Sequence, residues 1–237
     1  MARPDGVVIV SERYWAFAAV DGSVREGEMP RFPDQIAQVP LARGLARLWT
    51  AMSPLFRMKG VASARERILL AAALLAPFGL IFAPEPYGLI GALTVTIGVA
   101  CFIFRGRTLR LHGAEHRAIA AAEESRLEAT WAGAAHPSRF ALRCGTNFAA
   151  LSIPVAFAAD RLMPIDAAFY TPLLASLLSI AVTMELWRVV QSARGWRRFF
   201  LAPGLALQRL TTREPRLEET RLALLAVASV VGRELDT

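Results

Sequence analysis

His112 and His116 are four residues apart, so on a helix they stand one above the other on the same face. Glu115 immediately precedes the second of them. This H-x-x-E-H order is the inverted form of the zinc-protease pattern, in which two imidazoles bind a metal and a carboxylate takes a proton from water on it. Glu115 is the candidate general base. Two ligands do not complete a metal site, so Zn²⁺ or another divalent transition metal would need a third. Three residues are candidates. Cys144 offers a thiolate, which suits zinc well but would also be at home as a buried packing residue. Glu185 ends an apolar run and needs a partner at that depth, either Arg188 or a metal. His136 is the third and last histidine, in an Ala-His-Pro-Ser setting that also reads as a loop turn. The competing reading is a polar cluster whose histidines bond to neighbouring carboxylates.

Other polar residues could serve such a site. Glu123 could ligate or fix an imidazole tautomer. Gln208, Thr211, Thr212 and Glu214 could line the site or simply start a helix. Arg143 and Arg188 could hold a phosphate headgroup or sit at the membrane surface.

The elements that must position these residues are mostly apolar. The hydrophobic share of the 237 residues is 54% and mean hydropathy is +0.38, with the apolar residues gathered in long runs. Four runs are predicted to span a membrane: Ile68 to Phe82, Tyr87 to Phe104, Asn147 to Met163 and Ala167 to Trp187. Pro77 and Pro154 inside them are tolerated where neighbours satisfy the freed carbonyls. Net charge is +7, and the arginines flank these runs instead of forming a nucleic-acid-binding stripe. The runs are preceded and followed by arginine on the His-containing side, with almost no charge at the Pro84–Pro86 turn. The positive-inside bias therefore places residues 105–143 and both termini in the cytoplasm. Asp160, Arg161 and Asp166 would mark the far interface, and Arg188, Arg194, Arg197 and Arg198 the return. Two cysteines make no disulfide framework, Cys101 reads as packing, and no signal-peptide pattern opens the chain.

Residues 1–30 read as a β element: strands over 6–10 and 13–20, an Asp21-Gly22 turn and a returning strand over 23–28. Residues 31–66 follow as amphipathic interfacial helices interrupted by Pro40 and Pro54. A first transmembrane hairpin covers 67–104, the metal-motif segment 105–143 and a second hairpin 144–188. In the tail, 189–237, Leu201 to Leu205 reads as a turn and Leu217 to Leu235 as a helix with a Thr cap available before it.

Several strings together resemble the YqhQ-like family, bacterial membrane proteins predicted to be metal-dependent enzymes. They are His112-Gly113-Ala114-Glu115-His116 with Glu123 or Glu124 beyond, Arg143-Cys144-Gly145-Thr146 with Phe148, and Glu185 with Arg188. Pro203-Gly204-Leu205, Gln208, Leu210-Thr211-Thr212 and Glu214-Pro215 complete the set, with Pro40 and Arg43-Gly44 upstream. The resemblance implies an inner-membrane, multi-span protein with a metal site and implies no particular reaction. The chain departs from the family at its start: of a longer glycine-rich motif only Asp5-Gly6-Val7 and the later Trp15 are similar, and Val8-Ile9-Val10 stand in place of its Met-Met-Arg part. It also has Ala141-Leu142 where the family carries a His-Pro pair. It is a divergent member by these measures.

The expectation is a mainly α, polytopic membrane protein with about four transmembrane helices and a small β-containing N-terminal element. Its function would be that of a metal-dependent, hydrolase-like enzyme on a lipidic or membrane-associated substrate. The alternative is a non-catalytic membrane subunit or scaffold with a structural or degenerate metal site. Membrane lipid is the expected partner, with a second membrane protein or another copy of the chain next and nucleic acid excluded. A transporter lacks support, since the runs carry few charges.

Overall fold

A computed structural model describes residues 1–58, 60–80, 83–84, 86–162, 171–191 and 199–236. It is mainly helical, with one small antiparallel sheet at the N-terminal end. The sheet is a meander in the order β1 (Ala2–Arg3), β2 (Gly6–Val10), β3 (Tyr14–Ala19), β4 (Val24–Glu28). The expected Asp21-Gly22 turn joins β3 to β4: Gly22 takes φ +88°, and the Asp21 carboxylate accepts the Ser23 N–H at 2.8 Å.

Strand alternation sends the two faces of this sheet to different tasks. Val7, Ile9, Ala16 and Ala18 face a core built with α5 (Gly106–Glu123) and α10 (Leu217–Leu235). Val8, Trp15, Phe17 and Ala19 face the other way, against Met29 and Val61. The first core is rich in alanine: Ala114, Ala118 and Ala121 on α5 meet Ala223 and Ala226 on α10. Small residues let the helices and sheet approach closely, and Leu111, fully buried, fills what remains. Burial of that one side chain stabilises the fold by roughly 1.5–3 kcal/mol. The helix with the two histidines is thus a core helix, clamped between the sheet and α10.

In chain order, α1 (Asp34–Gln38), α2 (Ala42–Phe56), α3 (Ala64–Leu80) and α4 (Tyr87–Ile103) come between the sheet and the core helix. Pro54, expected to interrupt, sits in the last turn of α2, where its carbonyl accepts the Val61 N–H at 2.8 Å. The helices α3 and α4 pack on each other. Beyond α5 come α6 (Leu127–Trp131), α7 (Gly145–Leu162), α8 (Thr171–Gln191) and α9 (Ala202–Thr211). The expected turn at 201–205 is instead the start of α9, because Pro203 falls in the first helical turn, where its missing N–H costs nothing. No threonine caps α10. Thr211 and Thr212 end α9, and the Glu219 carboxylate accepts the Arg216 N–H at 2.8 Å.

Among the described residues, Leu173–Gln191 is long and apolar enough to cross a membrane by itself. Tyr87–Cys101 and Gly106–Glu123 would qualify as one broken span, but they bend by 64° at the break. The second of them is also the core helix just described. Gly145–Ala159 is a shorter apolar helix. The expected span ends at Ile81, Phe82, Met163 and 167–170, and Asp166, Arg194, Arg197 and Arg198, lie outside the described residues.

Candidate metal centre

Three side chains converge where α5 meets the start of α7. A ring nitrogen of His112, one of His116 and the Sγ of Cys144 all lie within 4.8 Å of one another. The two imidazoles stand at 4.5 Å between centroids, as their four-residue spacing on one helix face requires. Cys144 immediately precedes α7, in the N-cap position. Its Sγ accepts the Thr146 hydroxyl at 3.0 Å, while its carbonyl accepts the Asn147 N–H at 3.0 Å.

The orientation of the rings is the most informative feature. His112 Nδ1 lies 2.8 Å from the Thr211 carbonyl, and His116 Nδ1 lies 2.8 Å from the Arg139 carbonyl. A carbonyl only accepts, so each Nδ1 carries the proton and donates. In its neutral form each ring then has its lone pair on Nε2, and a second proton placed there makes the ring a donor to the sulfur. For His112 that nitrogen is 3.2 Å from Cys144 Sγ. Backbone carbonyls that fix the tautomer and turn the other nitrogen towards a common point are the usual outer partners of metal-bound histidine.

Charge distribution agrees with the geometry. Burial pushes the Cys144 thiol up, but hydrogen bonds from His112 and His116 and their positive charge outweigh it and hold the thiol at about 5. It is a thiolate at neutral pH. Burial lowers His112, yet the Cys144 sulfur, the Glu115 charge and the Thr211 carbonyl raise it above the ordinary imidazole value. Burial also raises Glu115, and the N-terminal ammonium with both imidazoles brings it below the usual carboxylate range. The Cys144 thiolate favours the protonated form of His112; an ion that displaces that proton would meet two neutral imidazoles and one thiolate, a donor set that fits zinc or a similar borderline-soft ion. Tetrahedral zinc would hold such atoms roughly 3.3–3.6 Å apart, given Zn–N of about 2.0–2.1 Å and Zn–S of about 2.3 Å.

The loop that carries Cys144 is pinned by side-chain amides. The Gln208 amide, fully buried, accepts the Ala141 N–H at 2.9 Å and donates to the Ala141 carbonyl at 2.7 Å. Asn147 Nδ2 donates to the carbonyls of Ala141 and Leu142 at 3.0 and 2.8 Å. Arg139 Nη1 donates to the Thr212 carbonyl at 2.8 Å, and the Thr212 hydroxyl donates to the Gln208 carbonyl at 2.6 Å. Two glycines make the close packing possible. A Cβ on Gly113 would lie 2.2 Å from the Arg213 carbonyl oxygen, and one on Gly204 would lie 2.1 Å from Asn147 Oδ1.

Of the residues singled out by sequence, the structure brings His112, His116 and Cys144 together. Thr211, Thr212 and Gln208 surround them through the bonds above. Glu115 lies beside the pair on α5, with Oε1 2.6 Å from the Met1 ammonium and Oε2 buried without a hydrogen-bond partner. Glu214 bridges Arg117 at 2.7 Å and Arg139 at 3.6 Å, bracing the loop from outside. Glu185 is elsewhere. Its carboxylate takes two parallel bonds of 2.7 Å from Arg43, joining α2 to α8, and a third contact of 3.3 Å from Arg188. Glu123 and Arg143 form an exposed pair at 3.7 Å. His136 is exposed and outside the three-donor group. Sequence reasoning missed Arg139, Arg117, Asn147 and Thr146. Only Thr146 had a signal, as the residue a capping Cys144 would reach.

The model of the family described as "Protein of unknown function (DUF1385)" matches residues 92–233, a range that holds the whole cluster and its supports. The uncharacterized protein YqhQ of Bacillus subtilis (strain 168) is 32% identical over 124 residues. That alignment covers 50% of this chain and 38% of the relative. No solved structure matches. With the match running from within α4 to within α10, the chain belongs to the DUF1385 family and is a divergent YqhQ-like member of it.

Proposed function

We propose that the protein is a metal-dependent, hydrolase-like enzyme at the cytoplasmic face of a bacterial membrane, acting on a lipidic or membrane-associated substrate. His112, His116 and Cys144 are its metal ligands in this reading. One observation carries it: two imidazoles, each held by its Nδ1–H on a backbone carbonyl, turn towards a thiolate. Three protein ligands leave a tetrahedral ion one open position, at which zinc supplies Lewis acidity and lowers the pKa of a water. The chain's residues supply the remainder. Thr146 steadies the sulfur, Thr211 and Arg139 orient the rings, and Glu115 accepts the proton through its unpartnered Oε2.

The membrane reading rests on exposed apolar surface. Ile68, Leu69, Leu74 and Leu75 on α3 and Leu89, Ile90, Leu93 and Ile97 on α4 are all more than half exposed. On α7 and α8, Ile153, Phe157, Leu174 and Leu177 are exposed as well. Such continuous apolar surface is costly in water and favourable in lipid. Four spans with both termini cytoplasmic is the arrangement in this reading: α8 has the length and apolarity of a span, the 17 residues of α4 are uncharged, and those of α3 are apolar after an opening Ala-Arg-Glu-Arg.

The alternative is a non-catalytic membrane subunit with a closed structural metal. The Met1 ammonium at Glu115 favours it, because it occupies one oxygen of the candidate base. Cobalt substitution separates the two. In an enzyme, added azide or cyanide shifts the visible cobalt bands, because a position is open to it. A spectrum that ignores these anions means a site closed by protein, and the hydrolase reading fails.

A further inference from the structure

Arg143 and Arg188 are the sequence candidates for holding a phosphate, yet each faces a carboxylate, Glu123 and Glu185 respectively. A different pair of arginines is better placed. The segment after α9 runs along α5, with the Arg213 N–H donating to the Leu109 carbonyl at 2.9 Å. Its side chain reaches back to the first turn of α5. The side-chain-free position at Gly106 would put a Cβ 3.9 Å from Arg213 Nη1 and 4.0 Å from Arg110 Nη1. Two guanidinium groups therefore converge on one small patch of helix surface.

Only one acid serves this pair among the described residues. Glu219 binds Arg110 through Nε at 2.7 Å, which fixes that side chain and leaves its outer nitrogens free to turn to a ligand. Arg213 is exposed and has no ion pair among the described residues. The patch carries an excess positive charge that two forks of N–H donors can direct at a tetrahedral oxyanion. No side chain caps α5 at this end, so its helix dipole adds to the same field. The location completes the case. Gly106 follows directly on α4, whose exposed apolar surface ends at Phe104. In the proposed membrane arrangement the patch lies at the lipid boundary, six residues and roughly 9 Å along the helix axis from His112.

We infer that Arg213 and Arg110 form a phosphate-binding site at the start of α5, and that its ligand is the headgroup of an anionic phospholipid. The site rests on the membrane part of the proposed function. It deepens that reading by naming the substrate class: a lipid held by its phosphate with the adjoining bonds directed towards the His112 and Cys144 end of the helix.

The test uses the full chain in a non-ionic detergent, with short-chain phosphatidic acid, short-chain phosphatidylcholine and inorganic phosphate as separate probes in calorimetric titrations. Saturable binding of phosphatidic acid is expected, tighter than that of phosphate alone. Arg213→Gln should weaken it by about tenfold or more, while Arg143→Gln leaves it unchanged. Arg213→Lys, which keeps the charge but loses the fork, should fall between. Unaltered binding in Arg213→Gln, or equal loss in Arg143→Gln, overturns the site. Phosphate binding as tightly as phosphatidic acid overturns the lipid source. Metal content of the same samples reads the metal reading independently, so the failure of one is not the failure of the other.

Discussion

His112 Nε2 and Cys144 Sγ face each other at 3.2 Å, although one residue lies on α5 and the other just before α7, 32 positions apart. The contact joins a core helix, held by the N-terminal sheet, to the first residue before an apolar helix. Anything that shifts either helix shifts the donor set.

The thiol is the most direct probe of this contact. With Cys144 held at about 5 by the two histidines, thiolate absorbance in metal-free protein should appear with a midpoint near 5 instead of near 9. The folded value is the depressed one. The stabilisation is therefore complete above the unfolded thiol value and is lost as pH falls through 5. Thermal unfolding of Cys144→Ser and wild type should accordingly converge below pH 5 and diverge above it.

Gly113→Ala should be severe for so small a change. The new Cβ would lie 2.2 Å from the Arg213 carbonyl oxygen, a backbone atom that cannot move without displacing Thr211 from His112. A loss of roughly 1–3 kcal/mol is expected, read as a lower melting temperature in detergent.

Gln208→Ala removes both bonds to Ala141 and leaves the Ala141 N–H without the amide oxygen, while the Ala141 carbonyl keeps the bond from Asn147. About 1–3 kcal/mol of stability should go with them. Because the Ala141 loop carries Cys144, metal affinity should fall about 10- to 100-fold. Competition with a chelator of known affinity measures it. Unchanged affinity would mean that the loop does not set the position of the sulfur.

Cys101 tests the membrane arrangement. It is exposed on α4 and is one of two cysteines, the other being buried. In vesicles it should resist a charged maleimide and react once detergent is added. Fast labelling in intact vesicles would remove α4 from the lipid.

Much of this was legible beforehand, for physical reasons. The β element announces itself by Val7-Val8-Ile9-Val10 and by Asp21-Gly22, both short-range signals. The two histidines are legible because helix geometry converts four-residue spacing into one face. Cys144 was among the candidates for a third ligand, but nothing local separates it from Glu185. What separates them is Arg43, which takes both oxygens of Glu185 from 142 positions away. The carbonyls of Thr211 and Arg139 could not be read at all, because every residue has a carbonyl and only the fold selects these two. The packing of the sheet against the histidine helix was likewise hidden, since Ala114, Ala118 and Ala121 look like neutral helix formers until their neighbours are known.

The most direct measurement is elemental analysis of detergent-purified protein: wild type, Cys144→Ala, His112→Ala/His116→Ala and Glu185→Gln, each shown to be folded. About one equivalent of zinc or another transition metal is expected in wild type and Glu185→Gln, and little in the other two. Wild type that stays metal-free even after reconstitution with zinc, or Cys144→Ala that keeps its metal while Glu185→Gln loses it, would contradict the three-ligand centre.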